Sequence, residues 1–194
     1  MIKPVHFRWR TFGLLSVVLA LVLSSLACGI GKRPVTPAPP IPITTESVEQ
    51  LQTELQTAST QIQSGNPFEL KVTEEQITSA IAFQLQQSGN ETFTEPQVYL
   101  RDGLVQLFTT VKQGKVTAYS KILVNVRITS DGYPAVELNS VELGTLPVTQ
   151  AFKDQLNTAL QSAVIQYFKY GGEKLYLDSI TIADGIMTIQ GHQR

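Results

Sequence analysis

The chain has 194 residues, and its 15 basic and 16 acidic side chains give a formal net charge of −1. This balance excludes an obvious nucleic-acid-binding protein, which would carry a marked excess of Lys and Arg. The single Cys rules out an intramolecular disulfide framework, the two His argue against a histidine-rich metal site, and we expect no cofactor. The length suits one domain with an N-terminal extension.

The N-terminus has the three parts of an export signal. Lys3, Arg8 and Arg10 precede an uncharged apolar run over residues 11–27, and Cys28 follows. The basic residues stay on the cytoplasmic side and direct the rest of the chain outward. The sequence therefore places the remainder of the protein outside the cytoplasm, attached to the cell membrane.

The run Ser24-Ser25-Leu26-Ala27-Cys28 resembles the end of a bacterial lipoprotein signal peptide. The resemblance implies removal of residues 1–27, a diacylglyceryl group on the Cys28 thiol, and a further acyl chain such as palmitate on the new amine. Two or three acyl chains hold a protein firmly on a membrane, whereas one does so only marginally. The alternatives are an uncleaved transmembrane helix over residues 12–30 and a secreted protein.

Residues 28–43 are predicted to be the lipidated N-terminus and a Pro-rich linker, and residues 44–194 a single domain. Five prolines lie between Gly29 and Ile43. Because Pro favours the extended polyproline II conformation, this stretch is predicted to be a semi-rigid spacer that holds the domain about 40 Å from the bilayer.

The first helix is predicted over residues 44–64. Ser47 and Gln50 have the spacing of a capping box, and the apolar residues recur every three or four positions. The stripe consists of Val48, Leu51, Leu55, Ala58 and Ile62. Because this stripe is narrow, the helix either packs on the domain surface or binds a partner helix.

A short strand over residues 68–72 and a second helix to about residue 89 follow. Thr73 and Gln76 have the spacing of another capping box, which places the start of the helix at residue 74. Its predicted buried face consists of Ile77, Ala80, Ile81 and Leu85.

From residue 97 the hydrophobic period changes to two, which is typical of strands. The predicted strands cover residues 98–101, 104–112, 115–130 and 133–143, with Asp-Gly turns at residues 102–103 and 131–132. Their regular alternation predicts one apolar and one polar face, and their length predicts a twisted, curved antiparallel meander.

A long helix over residues 148–170 follows Pro147. Its predicted buried side supplies the candidate ligand-binding residues Phe152, Leu156, Leu160, Ala163 and Tyr167. A last hairpin, residues 174–183 and 186–191, closes the chain. The predicted fold class is therefore α+β, with a long curved antiparallel β-meander packed around a long amphipathic helix and two shorter N-terminal helices.

Two runs of the second half, Val141 to Pro147 and Leu175 to Ile186, flank this long helix. With it, they resemble two groups of bacterial envelope proteins, the YpmS-like and LmeA-like families, over about residues 97–191. The resemblance implies a tubular, lipid-binding fold with a helix inside a curved sheet and a slot for acyl chains. It brings no catalytic residues with it.

Residues suited to catalysis are sparse. His192 is the single histidine after the signal peptide and is predicted to lie at a frayed terminus. Paired carboxylates are the remaining route to hydrolysis, and the candidates are Glu74 with Glu75, Glu137 with Glu142, and Asp178 with Asp184. Most of these carboxylates have a simpler explanation: they lie in the first turn of a helix, on a solvated strand face or in an Asp-Gly turn. We therefore predict that the protein is not an enzyme.

These features favour a membrane-tethered, extracytoplasmic lipoprotein that binds a lipid or other hydrophobic ligand in envelope maintenance. The alternative is a non-enzymatic protein–protein interaction module of the cell envelope that uses the helix over residues 47–64. The expected partners are the membrane, through the lipid anchor, and either a lipid ligand or an envelope protein.

Replacing Cys28 by Ala tests the lipid anchor. Cys28→Ala removes the thiol that receives the diacylglyceryl group, so we expect acyl labelling to disappear and a larger, uncleaved precursor to accumulate. Metabolic labelling with palmitate and gel electrophoresis measure both effects. A wild-type chain that is unlabelled and unchanged in size would support the uncleaved transmembrane helix instead.

Overall fold

The computed structural model describes residues 33–113, 116–170 and 175–194. In these ranges the chain forms three helices and seven strands, in an order that alternates helix and strand only at the start. The elements are α1 (Thr45–Gln63), β1 (Phe68–Thr73), α2 (Glu74–Gln87), β2 (Phe93–Arg101), β3 (Leu104–Gln113), β4 (Val116–Ile128), β5 (Pro134–Leu143), α3 (Gln150–Tyr170), β6 (Leu175–Ala183) and β7 (Ile186–Gln193). The α+β class is therefore confirmed.

The strands form two antiparallel sheets. One sheet has the order β2-β3-β4-β5, so its strands are neighbours in chain order, while the other has the order β1-β7-β6. The last hairpin thus pairs with β1, whose residues run from Phe68 opposite Gly191 to Thr73 opposite Ile186. Asp184, in the turn of that hairpin, has a φ of +51°. Asp102, in the turn between β2 and β3, has a φ of +57°. Both Asp-Gly turns fall where the sequence predicts them.

The two N-terminal helices begin at different kinds of cap. At α2 the predicted capping box is confirmed, because Thr73 and Gln76 bind each other's backbone N–H groups. At α1 the predicted box of Ser47 and Gln50 is wrong. Thr44 is the N-cap and accepts from the Ser47 N–H, while Ser47 itself is buried with its hydroxyl donating to Glu75.

Each sheet has its own apolar core. In the three-stranded sheet, α1 covers Phe68, Leu70 and Val72 of β1 together with Leu177 of β6, and Ala58 is the buried apolar residue of the helix. In the four-stranded sheet, α3 packs on one face. The residues buried there are Ile122, Val124, Val136 and Val141, and Val148, Leu156 and Leu160 pack against them.

The most buried face of α2 is polar, whereas the sequence predicts an apolar one. Gln76, Thr78 and Ser79 are at most 3% exposed. The Thr78 hydroxyl accepts from the Val98 N–H of β2 (3.0 Å), and the Ser79 hydroxyl accepts from the Thr44 N–H (3.1 Å). Burial of these groups is tolerated because each one finds a backbone partner.

Glu74 joins the start of α2 to the ends of two hairpins. Its carboxylate accepts from the Leu100 N–H and from the Arg101 guanidinium at the end of β2, and its own N–H donates to the Gly185 carbonyl (3.0 Å). The Gly185 N–H donates in turn to the Leu100 carbonyl (3.1 Å). The Glu74 side chain is only 14% exposed, so these hydrogen bonds are shielded from water.

Removing the Glu74 carboxylate should therefore destabilise the whole domain. For Glu74→Ala we expect the free energy of unfolding to fall by about 2–4 kcal/mol, because a shielded Arg101 and a backbone N–H lose their partner. Glu137→Ala is the control, since its ion pair with Arg127 is long (3.7 Å) and well exposed, and we expect a change of under about 0.5 kcal/mol. Urea denaturation followed by circular dichroism measures both. Equal effects would contradict the role given to Glu74.

Candidate functional site

The candidate ligand-binding residues of α3 do not share one environment. Leu156 and Leu160 are half-buried and pack on the core of the four-stranded sheet, whereas Phe152 is 40% exposed. The prediction that Phe152 faces the core is therefore wrong. Ala163 and Tyr167 lie in α3, but their side chains are outside the described residues. Leu156 and Leu160 act as core residues, since they pack against the buried cluster that includes Ile122 and Val141.

The Pro-rich segment over residues 33–43, here named the strap, lies against the sheet. The Ile41 N–H donates to Gln97 Oε1 (2.6 Å) and Gln97 Nε2 donates back to the Ile41 carbonyl (3.2 Å). The Tyr99 hydroxyl donates to the Pro39 carbonyl (3.2 Å). The prediction of a spacer that stands clear of the domain is therefore wrong for these residues.

The sequence of the strap explains why side chains hold it. Five of its eleven residues are prolines, which have no N–H and cannot join a regular ladder. Polyproline II backbone leaves its carbonyl groups free to accept hydrogen bonds. The primary amide of Gln97 carries both N–H donors and a carbonyl acceptor, so it pairs with the N–H and the carbonyl of Ile41 as a neighbouring strand would.

A cavity of about 580 Å³ lies between the strap and the outer face of the four-stranded sheet. Tyr99 and Phe108 lie beneath the cavity, are at most 5% exposed, and contact each other edge to face with ring centroids 5.5 Å apart. The apolar walls are supplied by Pro34, Val35, Pro40 and Ile43 of the strap and by Tyr119 of β4. The cavity is open to solvent on one side, its volume lies within the range of small-molecule sites, and its lining also includes the hydroxyl groups of Thr36, Thr109, Thr110 and Ser120.

Two opposite charges lie at the mouth of the cavity. Arg33 Nη2 is 2.9 Å from Glu95 Oε2, and the Arg33 guanidinium lies over the Tyr119 ring, 4.9 Å from its centroid. Glu95 also accepts from the Thr110 hydroxyl (3.2 Å). The nearby Tyr119 side chain, followed by the Glu95 carboxylate, raises the pKa of Arg33, so the guanidinium stays charged.

A β-bulge in β2 directs Glu95 toward this mouth. The register with β3 shifts between Thr94 and Gln97, and Glu95 has a positive φ of 53°. A non-glycine residue in this conformation costs about 1 kcal/mol or more, and it persists only where its surroundings fix it. Here the hydrogen bond from Thr110 and the ion pair with Arg33 hold the Glu95 side chain in place.

The candidate carboxylate pairs have separate structural partners. Glu74 binds Arg101, while Glu75 accepts from the Ser47 hydroxyl (2.7 Å). Glu142 is exposed on β5, opposite Lys121. Asp184 lies in the turn before β7.

His192 is part of β7 rather than a frayed end, so that prediction is wrong. It lies opposite Tyr176 in the ladder, and its Nδ1 is 2.8 Å from Asp178 Oδ2. In the ranges 33–113, 116–170 and 175–194, no three His, Cys, Asp or Glu side chains gather as a metal site.

The predicted signal peptide and the anchoring Cys28 lie outside the described residues. Among the helices that the structure describes, none is both long and apolar enough to cross a bilayer. In comparisons with known proteins, no family model matches the chain, and no curated protein matches it either.

Sequence reasoning missed the residues that build the cavity. Gln97 and Tyr99 belong to an alternating strand, where polar or aromatic side chains attract no special notice. Pro96 is the one signal that could have found the site, because Pro inside a strand indicates an edge strand or a bulge. The outward side chains around such a bulge are natural candidates for contacts beyond the sheet.

Replacing Gln97 should release the strap while the sheet stays folded. Gln97→Leu removes both hydrogen bonds to Ile41, so we expect the Ile41 amide to exchange with solvent at least about tenfold faster, at a cost of about 1–2 kcal/mol in unfolding free energy. Hydrogen-exchange mass spectrometry measures the strap directly. Gln56→Leu, on the exposed face of α1, is the matched control. Unchanged exchange in Gln97→Leu would show that the strap is held by other contacts.

Proposed function

We propose that this protein is an extracytoplasmic lipoprotein, anchored to the membrane through Cys28, that binds a lipid or other hydrophobic ligand in the cavity under the strap. The observation that carries the proposal is the cavity itself, which lies over two buried aromatic rings and combines apolar side chains of the strap with a charged mouth. The lipoprotein signal that the sequence resembles supplies the anchor. A role in maintenance of the cell envelope follows from that location.

The strap cavity is a better supported ligand site than the face of α3. The sequence alone favours a slot between the long helix and a curved meander around it. Leu156 and Leu160 fill the described part of that interface with core contacts. The strap cavity, in contrast, offers apolar walls around open volume, and each methylene group moved there from water gains about 0.8 kcal/mol.

The tether brings this cavity close to the bilayer. The strap is held on the sheet from Arg33 onward, and four residues lie between Cys28 and Arg33. Such a segment spans at most about 17 Å when fully extended. A lipid ligand would therefore have a short path between the outer leaflet and the cavity.

The alternative, a protein-interaction module that uses the first helix, has less support. Ala58 is buried in the core of the three-stranded sheet, and Leu51 and Ile62 pack against that core. The apolar stripe of α1 is thus largely occupied by the domain itself, with Leu55 (46% exposed) as its outlying member.

Photolabelling tests the proposed ligand site. The protein is expressed from the whole sequence, reconstituted in phosphatidylglycerol vesicles and irradiated with a diazirine-bearing fatty alcohol, whose head group is uncharged. We expect adducts in the strap and in strands β2 to β4. Ile43→Trp places a larger side chain in the cavity wall and fills part of the cavity. Labelling of the strap and of strands β2 to β4 should therefore fall about tenfold.

Leu55→Trp is the control for this experiment. Leu55 and Ile43 are equally exposed (46% each), but Leu55 lies on α1, outside the cavity lining. We expect wild-type labelling in Leu55→Trp. Adducts confined to α3, or labelling that Ile43→Trp leaves unchanged, would show that the strap cavity is not the ligand site.

A further inference from the structure

We propose that the strap cavity selects a single-chain amphiphile with a zwitterionic head group, one phosphate and one ammonium, as in a lysophospholipid. This inference rests on the proposed function and specifies its ligand. The charged mouth argues for the head group, and the cavity volume argues for the single chain.

The ion pair at the mouth can open for a ligand at little cost. The side chains of Arg33 and Glu95 are 66% and 62% exposed. Pairs of this kind contribute little to stability, because water already solvates both partners. A ligand that carries both charges can therefore replace the Arg33–Glu95 contact. Each of the two side chains then has a counter-charge on the ligand.

The geometry assigns one ligand charge to each residue. The planar guanidinium of Arg33 suits a phosphate, which it binds through two parallel hydrogen bonds. When Arg33 turns to a phosphate, the face of the Tyr119 ring becomes free for an ammonium group, which aromatic rings attract. Glu95 is near enough to Arg33 to contact the same ammonium.

Glu95 also excludes ligands that carry a negative charge alone. The bulge and the hydrogen bond from Thr110 keep its carboxylate at the mouth, so an anionic head group at Arg33 meets a fixed like charge. Arg33 acts in the same way on a purely cationic head group. Specificity of this kind comes from repulsion of the wrong ligand as much as from attraction of the right one.

The volume of the cavity limits the ligand to one acyl chain. A methylene group takes up roughly the volume of a water molecule in the liquid, about 30 Å³, so a chain of about 16 carbons fills about 480 Å³. That fits the cavity of about 580 Å³. Two such chains need about 960 Å³, so a second chain would project from the cavity into solvent.

Competition against the photoreactive fatty alcohol tests this selectivity on the whole protein in phosphatidylglycerol vesicles. The competitors are palmitoyl-lysophosphatidylcholine, palmitate and hexadecyltrimethylammonium, which share a chain length and differ in head group. We expect the lysophospholipid to displace the probe at a concentration about tenfold lower than either of the others. Equal potency of the three, with the cavity still labelled, would overturn the selectivity and leave the proposed function standing.

Two charge-neutral variants identify the residues responsible. In Glu95→Gln we expect palmitate to approach the potency of the lysophospholipid, and in Arg33→Gln we expect hexadecyltrimethylammonium to do so, each to within about threefold. Arg127→Gln and Glu137→Gln are matched controls, because that exposed ion pair lies on the same sheet outside the cavity lining.

The results separate the two proposals. The assignment of the head group to Arg33 and Glu95 would be overturned in two cases. One is that both cavity variants rank the three competitors as the wild type does, and the other is that the control variants change that ranking. Absence of any labelling at the strap and strands β2 to β4 in the wild type would overturn the ligand site itself, and the head-group assignment with it.

Discussion

The first turn of α2 is the point on which the rest of the structure depends, because its two adjacent carboxylates bind different parts of the chain. Glu74 binds the end of β2 and so fixes the hairpin that follows, while Glu75 accepts from Ser47 (2.7 Å) and from Thr44 (3.2 Å) at the start of α1. Thr44 directly follows the strap, and its N–H is bound by Ser79 of the same helix. The first turn of α2, which joins the two hairpins through Glu74, therefore also sets where the strap leaves the sheet. The shape of the cavity is thus coupled to the packing of the whole domain.

Local signals in the sequence were sufficient for most of the secondary structure. The Asp102-Gly103 and Asp184-Gly185 turns were predictable because few residues other than Gly, Asp and Asn adopt positive φ, and each turn fixes the register of the strands beside it. The long strand β4 was predictable because alternation over 13 residues leaves no competing interpretation. What these signals do not contain is the partner of each element. The last hairpin reads the same whether it extends the meander or pairs with β1, so the division into two sheets came only from the structure.

The buried polar residues were beyond prediction for a different physical reason. A Thr or Ser in a helix is read as a solvated position, and its burial becomes favourable only when a specific backbone group lies within reach. Thr78 is buried because the Val98 N–H, 20 residues away, has no ladder partner on that side of the edge strand β2 and binds its hydroxyl instead. The strap was missed in the same way, since prolines predict an extended backbone but not the surface on which it lies. In both cases the deciding contact is between residues far apart in sequence.

The bulge at Glu95 and Pro96 links protection of the sheet edge to formation of the site. An edge strand with free N–H and C=O groups invites pairing with another chain, and a proline or a bulge reduces that risk. Strand β2 has both, and the extra residue takes Glu95 out of the ladder while Gln97 re-enters it opposite Phe108. The displaced Glu95 then pairs with Arg33 at one end of the strap, and Gln97 pairs with Ile41 near the other. Because Glu95 and Gln97, both at this one bulge, hold the two ends of the strap, a feature that shields the edge also creates the cavity beside it. Loss of the bulge would restore a regular strand at the expense of the cavity mouth.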